Sequence, residues 1–293
     1  MQGVVYVNGV LQPPDKAAVS VFDRGFLYGD SVFETMRVYQ GVVFKAQEHL
    51  ERLFQSGQRV GFALPWTHAH LHEVMQHTLQ HSCLQEAYVR LIATRGVGHT
   101  MGLDPALATS PSLIVMVLPL PALPASLYTQ GRSACLVRPY VTGVRSVDPS
   151  AKTGQYLHSV MATQHAKQQG ADEAIRVDEQ GRVSEASAAN VFACLKGVWC
   201  TPPLHVGILE GITRRTLLEV AAREGIAMEE RVFTAEQIMG AEEVFLCASV
   251  REMVPVVSID GQAIGEGVVG PQVQRLYQLF QQEVQRCVLK NQA

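Results

Sequence analysis

The chain has 293 residues, of which 47% are apolar and 17% charged, and its formal net charge is −3. This composition is typical of a soluble globular protein and excludes a disordered chain, and the small net charge gives no general electrostatic reason to bind nucleic acid or an anionic membrane. The longest apolar stretch, residues 113–118, is far too short to span a bilayer. The first residues show no basic region followed by an apolar one, so we expect a cytoplasmic protein without an export signal.

The N-terminal half predicts two hairpins, two helices and two further strands. Asn8-Gly9 between two valine-rich runs is the strongest short hairpin signal, and Gln40-Gly41 marks a second turn. Two later segments repeat apolar side chains at helical spacing, which predicts one buried face for each helix. The predicted strands are residues 4–7, 10–11, 32–39, 42–44, 87–94 and 113–118, and the predicted helices are residues 48–59 and 68–81.

The composition changes at residues 119–124, where Pro119, Pro121 and Pro124 occur within six residues. Such a run suits a semi-rigid linker and no regular element. We therefore predict a small N-terminal domain at residues 1–118, a linker at 119–124 and a larger C-terminal domain at 125–293.

The C-terminal half mixes strands with helices. Gly225 is a good C-cap for one helix, Pro271 begins the last helix, and a polar loop is expected at residues 143–150. Strands and helices in two blocks predict an α+β or α/β architecture. The predicted strands are residues 134–137, 173–177, 191–195, 198–201, 244–247 and 254–259, and the predicted helices are residues 154–169, residues 213–224 and one from 271 onward.

The cysteines and histidines predict no metal site. The six cysteines lie far apart without a C-x-x-C pair, which fits reduced thiols in a cytoplasm better than disulfides or a bound metal. Five histidines lie close together at residues 68–81 and would share two faces of a helix. No nearby cysteine or carboxylate pattern completes a metal site there, and solvated surface histidine is the commoner arrangement.

Lysine is scarce, so each one can be considered as a nucleophile. Lys152 alone lies in a short segment of small residues directly before a predicted helix. A lysine that forms a Schiff base needs a neutral amine, which requires desolvation or nearby positive charge. A solvated loop lysine is the more common arrangement, so Lys152 gains weight only in combination with other residues. The remaining lysines are Lys16, Lys45, Lys167, Lys196 and Lys290.

Three positions have the chemistry to bind a phosphate, and each has a simpler explanation. Arg52 offers a fork of donors to a phosphate, or else an ion pair with Glu48 on the same helix. The helix that begins after Gly211 offers free backbone N–H groups to a dianion, unless Thr213 is simply its N-cap. Ser249 adds a hydroxyl in a short loop after a strand.

An acidic residue completes the set. Glu185 follows a strand-like segment and is either a surface acid or the group that keeps a pyridine nitrogen protonated, which makes the ring an electron sink. In chain order, the sequence thus supplies an amine nucleophile, an acid and a phosphate-binding helix start. These are the parts needed to hold a pyridoxal phosphate.

With these residues in this order, the sequence resembles the fold-type IV pyridoxal-phosphate enzymes. That family includes branched-chain aminotransferase, D-amino-acid aminotransferase and aminodeoxychorismate lyase. The resemblance covers nearly the whole chain, from residue 22 to residue 271. It implies a two-domain fold, with a small N-terminal α/β domain and a larger C-terminal mixed α/β domain. The stretches that carry it are residues 28–34, 48–53, 183–192, 201–203, 207–214 and 241–245.

The resemblance also implies roles for single residues. Lys152 would form the internal aldimine and shuttle the proton between Cα and the cofactor C4′, and Glu185 would pair with the pyridine nitrogen. Tyr156 resembles the tyrosine that supports the ring hydroxyl, but it lies four residues after the lysine, whereas branched-chain enzymes typically have one more residue between them. The phosphate would be held by Arg52, the backbone of Ile212 and Thr213, and Ser249.

The substrate subgroup is implied by the N-terminal half. An apolar and aromatic wall suits a small aliphatic side chain, and a Tyr/Arg pair suits an α-carboxylate. D-amino-acid aminotransferases place an arginine and a histidine where this chain has Thr100 and Gly102, which argues against the D-specific enzymes. Ser249-Val250-Arg251 also resembles aminodeoxychorismate lyases. The residues matched to substrate-binding positions are Tyr28, Phe33, Arg37, Tyr88, Arg90 and Val250.

Our hypothesis is transamination of an L-branched-chain amino acid with 2-oxoglutarate, in two half-reactions with ping-pong kinetics. The alternatives are aminodeoxychorismate lyase and D-amino-acid aminotransferase, and the retained Lys152 and Glu185 argue against a paralogue without turnover. The resemblance further implies a homodimer, in which the loop at residues 99–104 closes the neighbour's site.

Overall fold

The computed structural model describes residues 2–98, 100–138 and 148–292, so residues 143–147 of the predicted polar loop and residue 99 of the predicted closing loop lie outside the described residues. The chain forms two compact units. The first consists of Met1–Pro121, Ala151–Gln155 and Cys287–Ala293, and the second of Ala122–Ser150 and Tyr156–Arg286. The change of unit after Pro121 falls inside the proline-rich segment. The predicted division into 1–118, 119–124 and 125–293 differs in one respect: the first unit also contains Ala151–Gln155 and Cys287–Ala293.

The first unit is built on a six-stranded antiparallel sheet. Its strands are β1 (Val4–Val7), β2 (Val10–Gln12), β3 (Ser31–Tyr39), β4 (Val42–Val43), β5 (Ala87–Gly98) and β6 (Ala108–Pro119), and its helices are α1 (Arg24–Tyr28), α2 (Ala46–Arg59) and α3 (His68–Ser82). The strand order is β2-β1-β6-β5-β3-β4. Both predicted hairpins form, with positive φ at Asn8-Gly9 and Gln40-Gly41, as a two-residue type I′ turn requires.

Alternation along β3 divides its side chains between the two faces of this sheet. Val32 and Met36 are buried on one face, where they pack with Leu50 of α2 in the core of the first unit. The opposite face carries Phe33 and Arg37. One strand therefore contributes both to the core and to a second surface that bears an aromatic ring and a charge.

The second unit is built on a nine-stranded mixed sheet. Its strands are β7 (Arg132–Val137), β8 (Glu173–Val177), β9 (Val183–Ala186), β10 (Asn190–Leu195), β11 (Val198–Thr201), β12 (Met228–Glu230), β13 (Glu243–Ala248), β14 (Glu252–Ile259) and β15 (Gln262–Ala263). The order is β12-β11-β10-β13-β14-β7-β8-β9, with β15 paired to β14. The pairs β11–β12, β7–β8 and β7–β14 are parallel.

Aromatic and small side chains fill the core around this sheet. The rings of Phe192 and Phe245 stack with centroids 4.8 Å apart, and the Trp199 ring lies 5.0 Å from that of Phe245. Ala162 and Ala166 pack one helix closely against β7 and β8. The helices after the first unit are α4 (Ser126–Thr129), α5 (Leu157–Gln168), α6 (Ile212–Arg223), α7 (Ala235–Met239) and α8 (Pro271–Gln292).

The prediction that a helix begins at residue 154 is wrong, because α5 begins at Leu157. The preceding segment pairs with β3 instead: the Gly154 N–H donates to the Ser31 carbonyl at 2.9 Å, and the Phe33 N–H donates to the Lys152 carbonyl at 3.0 Å. Short elements such as α1 and α7 were not predicted. Across the described residues, no helix has both the length and the apolar character needed to cross a membrane.

Candidate active site

Lys152 is fixed by backbone hydrogen bonds on both sides. Its carbonyl accepts from Phe33, and its N–H donates to the hydroxyl of Ser56 on α2 at 3.0 Å. The next residue, Thr153, is 8% exposed and bridges to Val32. The side chain of Lys152 is half-buried, with Nζ 4.6 Å from the centre of the Phe33 ring. Lys152 is therefore held in place and is not a freely solvated loop lysine.

Arg52 pairs with a buried carboxylate of β3, that of Glu34. Its Nε donates to Oε1 of Glu34 at 2.7 Å, and its Nη2 donates to Oε2 at 2.6 Å. Glu48 forms an ion pair with Lys45 at 3.2 Å. Arg52 therefore has an ion-pair partner outside its own helix. Its guanidinium is only 7% exposed, and two parallel hydrogen bonds set the plane in which it lies.

Glu34 and His49 are both buried. The shifts of their pKa values leave Glu34 charged and His49 uncharged at neutral pH. Burial alone would raise the pKa of Glu34, but the neighbouring Arg52 and His49, with the hydrogen bonds from both, lower it to about 2. Burial lowers the pKa of His49 and outweighs the carboxylate of Glu34, which raises it. At neutral pH the imidazole is uncharged, so its Nδ1 carries the proton and donates to Glu34 Oε2 at 2.7 Å.

Four of the predicted substrate residues lie on one face of the first sheet. Tyr88 lies opposite Arg37, and Arg90 lies opposite Thr35, two residues from Phe33 on β3. These four residues are Phe33, Arg37, Tyr88 and Arg90.

Three of them also contact one another. An Arg90 nitrogen donates to the Tyr88 hydroxyl at 3.3 Å, and the Arg90 guanidinium lies 4.0 Å from the Phe33 ring centre. Arg37 is directed toward Tyr39, 4.6 Å from its ring centre. Phe33, Tyr88, Arg90 and Lys152 therefore form one cluster, and Arg37 lies beside it.

Tyr28 is the last residue of α1. The following Gly29 adopts the left-handed conformation that ends the helix, with φ 67°. Tyr28 lines a cavity of about 220 Å³ together with Thr100 and Met101 of the predicted closing loop. Arg24 lies 5.1 Å from the Tyr28 ring centre and donates to the carbonyls of three successive residues, 102–104. The described part of the loop is thus anchored beside Tyr28.

In the second unit, Glu185 is part of a hydrogen-bonded network and is not a solvated surface acid. Its side chain is 12% exposed and pairs with Arg176 at 2.5 Å. The other carboxylate oxygen accepts from the Leu209 N–H at 3.0 Å and from the Asn190 amide at 3.3 Å. The Asn190 amide also donates to the Leu209 carbonyl at 2.9 Å. These contacts fix the direction of the Glu185 carboxylate.

Arg176 and Asn190 were not predicted as site residues. Asn190 lies within the stretch of residues 183–192, but nothing in its local sequence distinguishes it from any asparagine at the start of a strand. Arg176 occupies the outward position of a strand whose neighbours Ile175 and Val177 are buried. Alternation identifies such a side chain as exposed to the sheet surface, but not as the partner of Glu185.

The start of α6 is shaped by a glycine. Gly211 is the N-cap and provides no side-chain cap, so Thr213 is not the N-cap and lies inside the helix, 3% exposed. A Cβ atom at residue 211 would lie 2.0 Å from Oδ1 of Asn190, much closer than van der Waals contact. Only glycine lets the Asn190 side chain approach this turn, so the helix start and the Glu185 network share a residue.

The remaining predicted residues occupy the turn after β13 and the residue before α5. Ser249 and Val250 are half-buried in that turn, which follows Cys247, the β13 partner of Asn190. Arg251, which suggested the lyase subgroup, forms an ion pair with Glu173. The first helical residues, Ile212 and Thr213, belong to a helix that packs against β13.

Tyr156 caps the N-terminus of α5, and its ring centre lies 6.3 Å from that of His158.

Comparisons with known proteins agree on one family. The sequence model of the family described as Amino-transferase class IV matches residues 31–259. The chain is 38% identical to a putative branched-chain-amino-acid aminotransferase of Methanocaldococcus jannaschii over 276 residues, 94% of each chain. The solved structure of the Escherichia coli branched-chain amino acid aminotransferase superposes with a TM-score of 0.90, at 32% identity over 95% of this chain and 93% of that one. The T.th. branched-chain amino acid aminotransferase, solved in complex with N-(5'-phosphopyridoxyl)-L-glutamate, gives a TM-score of 0.88, at 29% identity over 95% and 93%.

Proposed function

The chain belongs to the class IV aminotransferase family, and we propose that it transfers the amino group of an L-branched-chain amino acid to 2-oxoglutarate with pyridoxal 5′-phosphate as cofactor. Relatives and solved structures named branched-chain aminotransferases cover nearly its whole length. The observation that carries the proposal is the cluster in which the Lys152 amine lies 4.6 Å from the Phe33 ring, with Arg90 on the same ring. This cluster combines a nucleophile with an apolar surface and a carboxylate-binding cation.

The residues present fit pyridoxal 5′-phosphate. A glycine-led helix start without a side-chain cap suits a phosphate dianion, and the close approach of Asn190 to Gly211 ties that start to the carboxylate of Glu185. We propose that Arg52, Ile212, Thr213 and Ser249 hold the phosphate, that Glu185 holds the pyridine nitrogen in its protonated form, and that Tyr156 supports the ring hydroxyl. The bound cofactor supplies an electron sink that stabilises negative charge at the substrate Cα.

The chain's own residues then perform the proton transfer. We propose that the Lys152 amine takes the proton from the substrate Cα and returns it, as a general base and acid that is held by its backbone hydrogen bonds to Phe33 and Ser56. Glu185 keeps one orientation because Arg176, Leu209 and Asn190 contact its carboxylate from different directions. Fixed groups of this kind need little reorganisation during the reaction.

Substrate recognition is assigned to the face of the first sheet that carries Phe33. Tyr88 and Arg90 share a hydrogen bond, and a guanidinium beside a hydroxyl suits a substrate carboxylate. Phe33 provides an apolar surface for the aliphatic side chain, and Arg37, Tyr28 and Val250 are assigned to the outer parts of the substrate site.

We also propose that the protein forms a homodimer. Met101 and Leu103 in the loop are 69% and 79% exposed, and Phe22, which lines the same cavity as Met101, is 57% exposed. An apolar surface of this kind favours a protein partner, and a second copy of the chain is the partner we propose. All six cysteines are free thiols, which supports a reducing, cytoplasmic location.

A donor screen tests the proposed reaction. Purified protein loaded with cofactor is incubated with 2-oxoglutarate and the L- or D-form of leucine, isoleucine or valine, and glutamate is measured. We expect glutamate from the L-forms and none from the D-forms. Glutamate only from D-forms, or pyruvate released from aminodeoxychorismate without glutamate from L-leucine, would overturn the proposed substrate while leaving the family unchanged.

A further inference from the structure

The helix α2 carries three polar side chains on the face that enters the core of the first unit. His49, Arg52 and Ser56 are 1%, 6% and 0% exposed, and they meet Glu34, which is 0% exposed. Their spacing of three and four residues places them on one side of the helix. Around them the core is aliphatic.

Stability does not explain this polar cluster. Moving two charges out of water costs several kcal/mol per ion, roughly, and well-packed apolar residues of similar volume are often as stable or more stable. Buried charges with displaced pKa values are typical of functional sites. The pKa of Glu34 is lowered to about 2, so the carboxylate is present at any working pH.

The geometry shows what the carboxylate does. Each of its oxygens accepts from a different nitrogen of Arg52, and this fork fixes both the plane and the rotation of the guanidinium. His49 adds a neutral donor to Oε2, so it supports the carboxylate without competing for its charge. The direction of the third guanidinium nitrogen, Nη1, is thereby set by Glu34.

We infer that Glu34 is the positioning residue for Arg52: it presents the guanidinium to the phosphate group of the cofactor. This inference rests on the proposed function, because it takes the phosphate as the target of Arg52. Glu34 acts through Arg52 and does not touch the cofactor. The same helix face also holds the backbone of Lys152 through Ser56, so the reacting lysine and the phosphate-binding arginine have a common support.

The test compares two ligands that differ only in the phosphate. The cofactor is removed from the full-length protein, and dissociation constants are measured by absorbance for pyridoxal 5′-phosphate and for pyridoxal. We expect Glu34→Gln and Arg52→Gln each to weaken binding of the phosphorylated ligand at least about tenfold, the size of one lost charge-assisted hydrogen bond. Binding of pyridoxal should stay within about twofold of wild type. The matched control is Glu51→Gln on the exposed side of α2, which should change neither constant.

The outcomes separate this inference from the proposed function. If Arg52→Gln discriminates between the ligands and Glu34→Gln behaves like the control, Arg52 keeps its role and the positioning role of Glu34 is wrong. If Glu34→Gln weakens both ligands equally, Glu34 has only a structural role. If Arg52→Gln does not discriminate, the assignment of Arg52 to the phosphate is wrong, and the inference with it.

The double variant covers the case in which Glu34→Gln does not fold. Glu34→Gln/Arg52→Gln leaves no unpaired charge in this carboxylate–guanidinium pair, and its affinity for pyridoxal 5′-phosphate should equal that of Arg52→Gln alone. A further loss in the double variant would mean that Glu34 acts independently of Arg52 and would overturn the inference.

Discussion

The two units hold the side chains proposed for the active site by different physical means. In the first, Glu34 and Arg52 are opposite charges that are both buried and satisfy each other across 18 residues of sequence. In the second, Glu185 stays partly exposed and is held by a backbone N–H, an amide and an arginine, while a glycine leaves space at the helix start. The first arrangement depends on charge, and the second depends on backbone geometry.

This difference determines how each unit should respond to change. A buried ion pair is sensitive to pH and to removal of either charge, because the remaining charge stays desolvated. An arrangement built from backbone groups is sensitive to added volume, because a well-packed turn relaxes only partly. The variants below separate these two responses.

Removal of Lys152, the proposed nucleophile, should have the largest effect. In Lys152→Ala we expect turnover to fall at least about 10³-fold, because covalent and acid–base catalysis are lost together. The backbone contacts of residue 152 are retained, so urea unfolding should stay within about 1 kcal/mol of wild type. Initial rates with L-leucine and 2-oxoglutarate measure the effect. A rate within tenfold of wild type would remove Lys152 from its role.

Acid should weaken the first unit next. The pKa of Glu34 is lowered from 4.5 to about 2 in the folded chain, so between these values the unfolded chain binds more protons and folding free energy is lost as pH falls. The loss is about 3 kcal/mol over this window. His49 has a pKa lowered from 6.5, so it contributes a further loss as pH falls below 6.5.

Denaturant unfolding from pH 7 to pH 2 measures this loss. Glu34→Gln should be less stable than wild type at pH 7. Its loss of unfolding free energy between pH 4.5 and about 2 should be smaller, because the contribution of Glu34 is absent. An unchanged pH profile in that variant would contradict the charge-based account.

Added volume should weaken the second unit. In Gly211→Ala, the new Cβ would lie 2.0 Å from the Asn190 side chain, and relief of this clash should cost about 1–3 kcal/mol and weaken cofactor binding. Gly240→Ala is the matched control, because its Cβ would meet no atom closer than 3.8 Å. Thermal unfolding and cofactor titration of the two variants should differ. Equal behaviour of the two would mean that the turn at residue 211 tolerates a side chain.

The smallest effect is expected at Glu48. This residue forms a partly exposed ion pair with Lys45, so Glu48→Gln should change the unfolding free energy by less than about 1 kcal/mol and leave cofactor affinity unchanged. Cofactor affinity is measured in parallel for Glu34→Gln, in which we expect it to fall. A loss of cofactor affinity in Glu48→Gln would mean that Glu48 also supports Arg52.

The sequence predicted the elements that local signals determine. Asn8-Gly9 and Gln40-Gly41 predicted both hairpins. The two residues of each pair adopt the positive φ that this type of turn requires. Helix α2 was predicted from its apolar face, with an observed start two residues earlier than expected. Lys152 and Glu185 came from motif order and resemblance, and both lie in structured, hydrogen-bonded positions.

What the sequence missed depends on contacts between distant residues. Segment Ala151–Gln155 pairs with β3 and delays α5, and no local periodicity signals such a pairing. Arg52 has a glutamate at a suitable helical spacing, yet it pairs with Glu34 on another element. Asn190 matters because Gly211 allows it to approach the helix start. Each of these contacts is decided by the tertiary structure, because the local sequence offers several equivalent partners.

A single half-reaction tests the central claim most directly. Cofactor-loaded protein is mixed with L-leucine without any oxo acid, and the matching 2-oxo acid and ammonia are measured. We predict about one equivalent of 2-oxo acid per chain and no ammonia, followed by glutamate when 2-oxoglutarate is added, because a ping-pong transaminase keeps the amino group between its two half-reactions. Release of ammonia, or no 2-oxo acid from any L-branched-chain amino acid, would contradict the account.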